Sequence, residues 1–403
     1  MSTFQTCAVL LDGGKEVYRP GEPVTGELVL DVTENVTVKG VRVYLYGQTL
    51  VKWDEYSSST VGGTKDYVAR EKYFGRVFTV FGKGQNVSGP NHTLTTGQHN
   101  YRYKFTLPKE GLPSSFEGEF GATRYWVKVE VERPFPNFDK CWYTGITVLD
   151  DINVNDYKAT IGRAVVKQVS KALGFGNAGS LSLNVEIDRG AYCAGEKVAL
   201  KVVVKNESTK DLGKLKAQLE QKIVFTAHNE TKNIHNIIRI LESFPIKKGE
   251  ERVWNNQLLD VDSIPASTKM RSCHVIEVRY FIRVLVEVPF GLNLETTMPV
   301  TIGTIPYGHT PASGLQLAVP LRLLLPRLYA TPNATAESTF LKNQMGILSA
   351  FSTHQCVPLS SITPSHLLDR PQLRLHNHAL LLIPPQRHRQ RLQLRPHSIL
   401  LLL

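Results

Sequence analysis

The chain is poor in the features that would mark an enzyme, a secreted module or a disulfide scaffold. Cysteine is sparse, five in 403 residues, odd in number and without a Cys-x-x-Cys pair. That usage fits reduced thiols in the cytosol. The first residues hold no basic stretch leading into a long apolar run, so no secretory leader is expected. Six Asn-x-Ser/Thr sequons, Asn35 and Asn229 among them, are then expected to be unused. Helical periodicity is nearly absent. So are the catalytic signatures: there is no His-Glu-x-x-His, no Gly-x-Ser-x-Gly elbow and no phosphate-binding Walker loop. Before residue 307 the histidines are His92, His99, His228, His235 and His274, none at metal-ligand spacing. Cys273-His274 pairs a nucleophile with a base, but neighbours on a strand leave from opposite faces, which rules out a dyad in that geometry. Gly174-Phe-Gly176-Asn-Ala-Gly179 is a literal Gly-x-Gly-x-x-Gly. A strand follows it where a dinucleotide site needs a helix, so it reads as a flexible hinge. No enzyme, metal or cofactor is expected.

What the chain does contain is a period of two. In Ser115 to Pro134, SFEGEFGATRYWVKVEVERP, residues Tyr125, Val127, Val129 and Val131 point one way. Arg124, Trp126, Lys128, Glu130 and Glu132 point the other. This is a half-buried antiparallel strand that Pro134 should end. Trp126 lies on the wet side, with Phe281 as its counterpart. Each is either covered by a loop or neighbouring domain or offered as an aromatic contact, and cover is the expected outcome.

The strand occurs twice. Arg279 to Pro289, RYFIRVLVEVP, repeats RYWVKVEVERP 155 positions on. Earlier, Tyr18 to Leu30 (YRPGEPVTGELVL) matches Tyr192 to Val204 (YCAGEKVALKVVV) at an offset of 174. Continued without a gap, Val41, Val43 and Leu45 fall on Leu215, Ala217 and Leu219. The first copy therefore carries 19 extra residues, placed in the Ser/Gly/Thr-rich stretch after Trp53. Repeats of this length are tandem domains, since solenoid periods are far shorter. Glu22 and Glu196 recur beside glycine, which suggests turn geometry rather than acid catalysis. Short alternating runs such as Val198, Leu200, Val202 and Val204 make the fold class all-β, two tandem immunoglobulin-like antiparallel sandwiches.

The organisation predicted is a first domain over 1–158, a linker over 159–178, a second domain over 179–306 and a disordered basic tail over 307–403. In the linker, Val165, Val166, Val169, Ala172 and Leu173 follow helical spacing; an amphipathic helix and an extended linker with apolar anchors are both open. The tail holds nine Lys and Arg against two Asp and Glu, seven of the net eleven positive charges. With about four left on the folded body, the basic balance does not argue for nucleic acid. Cationic positions on the body are another matter. Arg102 and Lys104 alternate with Tyr101, Tyr103 and Phe105, making one face of that strand positive, and Lys15 and Arg19 flank the hairpin leading into the repeat motif. Such residues suit phosphates on a receptor tail or acidic lipid headgroups. The plainer account is a solvated sheet face.

The RYWVKVEVERP strand with Tyr-x-x-Gly-Glu before it resembles the N-terminal domain of the α-arrestins, the arrestin-domain-containing proteins. RYFIRVLVEVP with MPVTIGTIP (Met298 to Pro306) resembles their C-terminal domain, and together the similarity covers about residues 4 to 306. The resemblance implies two seven-stranded sandwiches joined by a hinge. It also implies a cytoplasmic adaptor, recruited to plasma membrane and endosomes, that binds membrane-protein cargo tails and brings HECT-type ubiquitin ligases to them for endocytic sorting. Ligase binding in such proteins uses Pro-Pro-x-Tyr. Here Pro384-Pro385 lacks the tyrosine and Pro326-Arg-Leu-Tyr329 has it at the wrong distance, so that route is unsupported. The alternative is a retromer-type coat subunit built on the same fold.

Overall fold

The computed structural model describes residues 3–56, 63–157, 161, 163–173, 179–268 and 272–308. Pro384-Pro385, the tail expectation and most of the glycine hinge lie outside the described residues. The first sandwich holds β1 (Phe4–Leu11), β2 (Val17–Tyr18), β3 (Pro23–Val32), β4 (Val36–Val38), β5 (Gly40–Tyr56), β6 (Thr64–Gly82), β7 (His92–Leu94), β8 (Gly97–Thr106), β9 (Phe116–Gly118), β10 (Gly121–Glu132) and β11 (Lys140–Val148). The second holds β12 (Val165–Ala172), β13 (Ser180–Ile187), β14 (Ala191–Cys193), β15 (Lys197–Asn206), β16 (Lys214–Ala227), β17 (Glu230–Pro245), β18 (Glu251–Asp260), β19 (Ile276–Val286) and β20 (Leu294–Gly303).

Each sandwich stacks a larger sheet on a smaller one. In the first, β2-β11-β10-β5-β6 faces β1-β3-β8; in the second, β14-β20-β19-β16-β17 faces β12-β13-β15-β18. The repeated strands β10 and β19 sit inside the larger sheets, which is why their apolar faces are dry. Tyr125, Val127, Val129 and Val131 are fully buried, as are Ile282 and Val284. The register repeats as well: Val127 lies opposite Leu45 and Val129 opposite Val43, while Ile282 lies opposite Leu219 and Val284 opposite Ala217. A one-residue slip would turn all of these outward, so the alternation itself fixes the pairing. Both strands close with the same side-chain bond. Tyr125 Oη donates to the Pro113 carbonyl and Tyr280 Oη to the Pro265 carbonyl, each at 2.6 Å.

Three sequence readings are refined by the structure. The stretch with helical spacing, Val165–Ala172, takes the extended of the two alternatives: it is strand β12, paired antiparallel along its whole length with β13, with Val165 and Val169 packed against the core. It is an edge strand whose residues are all half-exposed or exposed, so neither face shows a clean period of two. The extra residues of the first copy are not confined to the region after Trp53. The hairpin is longer (Gly40–Gly82 against Lys214–Pro245), but so is the next connection, 83–96 against 246–250. Trp126 is half-buried and makes an aromatic contact: its ring lies 5.6 Å from Tyr46, which stacks in turn on Tyr44.

The two sandwiches share apolar contacts. Val51, Trp53, Tyr67 and Phe116 of the first belong to the apolar cluster of the second. Phe120 meets Phe225 edge-on at 5.7 Å, and Trp53 stacks on Tyr67 at 5.1 Å. Around this apolar centre, Lys232 Nζ reaches Glu55 at 2.7 Å, Thr304 Oγ1 donates to the Asp150 carbonyl, and Asn155 donates to the Pro306 carbonyl. The two sandwiches accordingly fall within one compact unit.

Candidate partner-binding surface

The Tyr-x-x-Gly-Glu motif folds alike in both copies. Glu22 N donates to the Arg19 carbonyl and Glu196 N to the Cys193 carbonyl, closing turns whose third residues, Gly21 and Gly195, have φ of 83° and 89°. Only glycine takes that conformation without strain, and Pro20 presets the first turn. Each glutamate then caps its own turn: Glu22 accepts from Arg19 N at 2.8 Å and Glu196 from Cys193 N at 2.6 Å. Glu22 also takes the Lys15 ammonium at 2.8 Å. Partial burial works to raise the Glu22 pKa, but the bonds from Lys15 and the Arg19 amide hold it below the ordinary carboxylate value. Arg19 is bound to Asp151. Both cations of this corner are therefore already neutralised by the fold.

Strand β8 alternates cleanly, with Tyr103 and Phe105 buried and Arg102, Lys104 and Thr106 exposed. Its two cations part company. Arg102 makes a two-pronged bond to Asp12, at 2.9 and 3.2 Å, across a turn distant in sequence. Lys104 has no ion pair or hydrogen bond among the described residues. It lines an open groove with Phe105 and Thr106 on one wall and Arg76, Val77 and Phe78 of β6 on the other. Arg76 was not visible as a site residue in the sequence. It stands alone in a run of mixed character, and only the stacking of the sheets brings it opposite Lys104.

At the junction of the sandwiches, Cys273 and His274 lie just ahead of β19 rather than on a strand, but they still diverge. The buried Cys273 sulfur contacts Thr49 Oγ1 at 3.9 Å and accepts from Ile276 N at 3.3 Å, and burial raises its thiol pKa. His274 Nδ1 turns outward to Glu71 at 2.6 Å. A cavity of about 20 Å³, room for a single water, lies beside Cys273 against Asp150 and Pro265. Among the described residues no three His, Cys, Asp or Glu side chains cluster as metal ligands, and no helix is long and apolar enough to cross a membrane.

Comparison with known proteins agrees with this tandem geometry. Residues 7–155 match the N-terminal domain of arrestin (or S-antigen), and residues 177–307 match its C-terminal domain. Arrestin domain-containing protein 4 of Mus musculus is 28% identical over 305 residues, 74% of this chain and 71% of that protein. Arrestin domain-containing protein 1 of Homo sapiens is 27% identical over 381 residues, 93% of this chain and 80% of that protein. The chain belongs to the α-arrestin family. In this α-arrestin the two domains offer an internal control for the groove. Arg76 pairs in the ladder with Leu45, and at the equivalent place Arg239 pairs with Leu219. Arg76-Val77-Phe78 thus corresponds to Arg239-Ile240-Leu241. In the C-terminal arrestin domain Arg239 is neutralised by Asp262 at 2.5 Å, and the position of Lys104, opposite Thr25, is taken by Leu258, opposite Ala199. The N-terminal domain keeps the same corner open and doubly cationic.

Proposed function

We propose that this α-arrestin is a non-enzymatic adaptor that holds membrane-protein cargo tails and links them to endocytic sorting machinery. The observation that carries the reading is the pair of arrestin domains fused through a common apolar contact, Trp53, Tyr67 and Phe116 with Phe225. That contact makes one stiff body with surface to spare for two partners. A rigid body gains avidity only when both ends engage together. Recruitment of HECT-type ubiquitin ligases remains part of the proposal through some route other than Pro-Pro-x-Tyr. Acidic lipid headgroups are a further proposed contact, supported by the far end of the second domain. There Phe244, Phe290 and Leu292 are among the most exposed large apolar side chains, and Lys171 reaches the Leu292 carbonyl. Exposed aromatics beside lysines suit a membrane surface of anionic lipid. The proposed location is the cytoplasm, with recruitment to plasma membrane and endosomes.

The test is affinity capture of the full chain from cell extract, with and without brief crosslinking, followed by size exclusion. The adaptor reading expects membrane proteins that are retained by crosslinking and lost without it. A stable stoichiometric complex surviving size exclusion would instead mark a fixed coat subunit of the retromer type.

A further inference from the structure

We propose that the groove between β6 and β8 binds an extended acidic peptide, which adds as a strand to the β6 edge with its carboxylates between Arg76 and Lys104. The inference rests on the adaptor reading for its biological partner, a cargo tail, and names the surface and the chemistry that would hold it. Both walls are open sheet edges. Among the described residues β6 pairs only with β5, and β8 only with β3, so each presents ladder N–H and C=O groups that another backbone can complete. The lining residues are Arg76, Val77, Phe78, Lys104, Phe105 and Thr106, with no carboxylate among them. Other sheet cations of this fold are neutralised by carboxylates, as Arg102 by Asp12, Lys128 by Glu130 and Arg239 by Asp262. Two cations that line one groove and are unpaired among the described residues repel, and an anion placed between them removes that repulsion.

The apolar residues of the groove fit the same occupant. Val77 and Phe78 are each 43% exposed, and as strand neighbours they show on opposite faces of the edge. An added strand would cover both, one with each row of its side chains. Phe105, nearly buried, floors the groove. A lipid bilayer meets none of these needs, because it cannot hydrogen-bond a strand edge and does not enter a recess between two sheets. The second domain shows what the corner looks like without the function: Asp262 occupies the arginine and Leu258 replaces the lysine.

The experiment uses the purified full chain and a fluorescent alternating Glu-Val peptide of about ten residues, the length of an ordinary long strand, read by anisotropy at about 0.15 M salt. Saturable binding is expected, with a matched Lys-Val peptide inactive. Arg76→Glu with Lys104→Glu should weaken binding at least about tenfold, as reversal of two desolvated charges requires. Lys109→Glu with Lys140→Glu, which reverses two exposed cations elsewhere, should leave it within about twofold, the scale of unspecific surface charge. Hydrogen exchange of the wild-type complex should slow at β6 amides around Val77 and not in β17. Absence of binding, equal loss in both double variants, or binding without protection of β6 would overturn the proposal. So would phosphatidylserine vesicles that bind through Arg76 and Lys104 while the peptide does not. Failure here leaves the capture experiment to decide the adaptor reading, since that experiment does not depend on this groove.

Discussion

If the two sandwiches share one apolar contact, a single side chain at its centre should move the melting of both, and Phe225→Ala is that test. Phe225 is fully buried at the end of β16, opposite Ile276 of β19 and edge-on to Phe120 of the first sandwich. The chain of the first sandwich approaches it so closely that a Cβ on Gly118 would lie 2.8 Å from the Phe225 ring. Truncating a buried phenylalanine to alanine costs about 3–5 kcal/mol, the higher figures applying where the surroundings cannot close over the cavity. For a cooperative unit of roughly 300 residues the unfolding entropy at the midpoint is about 0.6 kcal/mol per degree, so the melting temperature should fall by about 5–8 °C. Scanning calorimetry reads this directly. The wild-type chain is expected to give one transition, and the variant one transition at lower temperature. Two wild-type transitions of which Phe225→Ala shifts only one would refute the reasoning. The contact would then be a surface between independently folding domains.

Other perturbations follow from single contacts. Tyr125→Phe strips the buried Pro113 carbonyl of its donor and should cost about 1–3 kcal/mol in urea unfolding. Tyr280→Phe should cost more, because its oxygen also accepts from Gln221 Nε2 at 2.7 Å. Arg42 is 2% exposed and bonded to Glu132 and to the Lys83 and Gly84 carbonyls. Arg42→Met should cost about 2–3 kcal/mol, below the fully buried range because Glu132 remains partly in water. Burial works to raise the Glu132 pKa, but Arg42 and Lys39 hold it below 4.5, and Glu22 is lowered likewise. Groups depressed in the folded state stabilise it fully above their unfolded value and lose that contribution as pH falls through the folded one. The urea midpoint should therefore be flat above pH 5 and drop below pH 4.5, with Arg42→Met showing a shallower acid limb. Residues 1–157 alone should aggregate on size exclusion, because Val51, Trp53, Tyr67 and Phe116 would lose their cover; a well-behaved monomer would show that the junction is dispensable.

Much of this architecture was legible because β10 and β19 are interior strands. Both sides of each are paired and one face is dry, so burial imposes an alternation on the residues that the chain displays directly. The turn role of Glu22 and Glu196 was legible for a similar reason: glycine at positive φ and the capping carboxylate sit within four residues of each other. Strand β12 was ambiguous because it lies at an edge. With little to bury, Val165, Val169 and their neighbours obey no strict period, and a spacing of three or four residues arose that imitates a helix. The candidate surface was half legible. Lys104 stood out because β8 alternates, and Arg102 beside it looked equivalent until the fold delivered Asp12 to it from another strand end. Charge neutralisation of this kind is a property of tertiary packing, and no local pattern encodes it. Arg76 carries no signal of its own for the same reason.

The duplication turns that difference into an argument. Two copies of one fold repeat their core residues, their register, their capped turns and their buried tyrosine bonds, since each of these is needed for a sandwich to close. Side chains that differ at matching places are released from that requirement. At the β6 and β17 edges the arginine is kept in both copies, so its stem and its place in the ladder suit the fold. What changes is the company: Asp262 and Leu258 in one copy, Lys104 and no carboxylate in the other. A fold that needed only solubility there would gain nothing from setting two cations face to face. A partner that brings the missing carboxylates accounts for both the retained arginine and the added lysine.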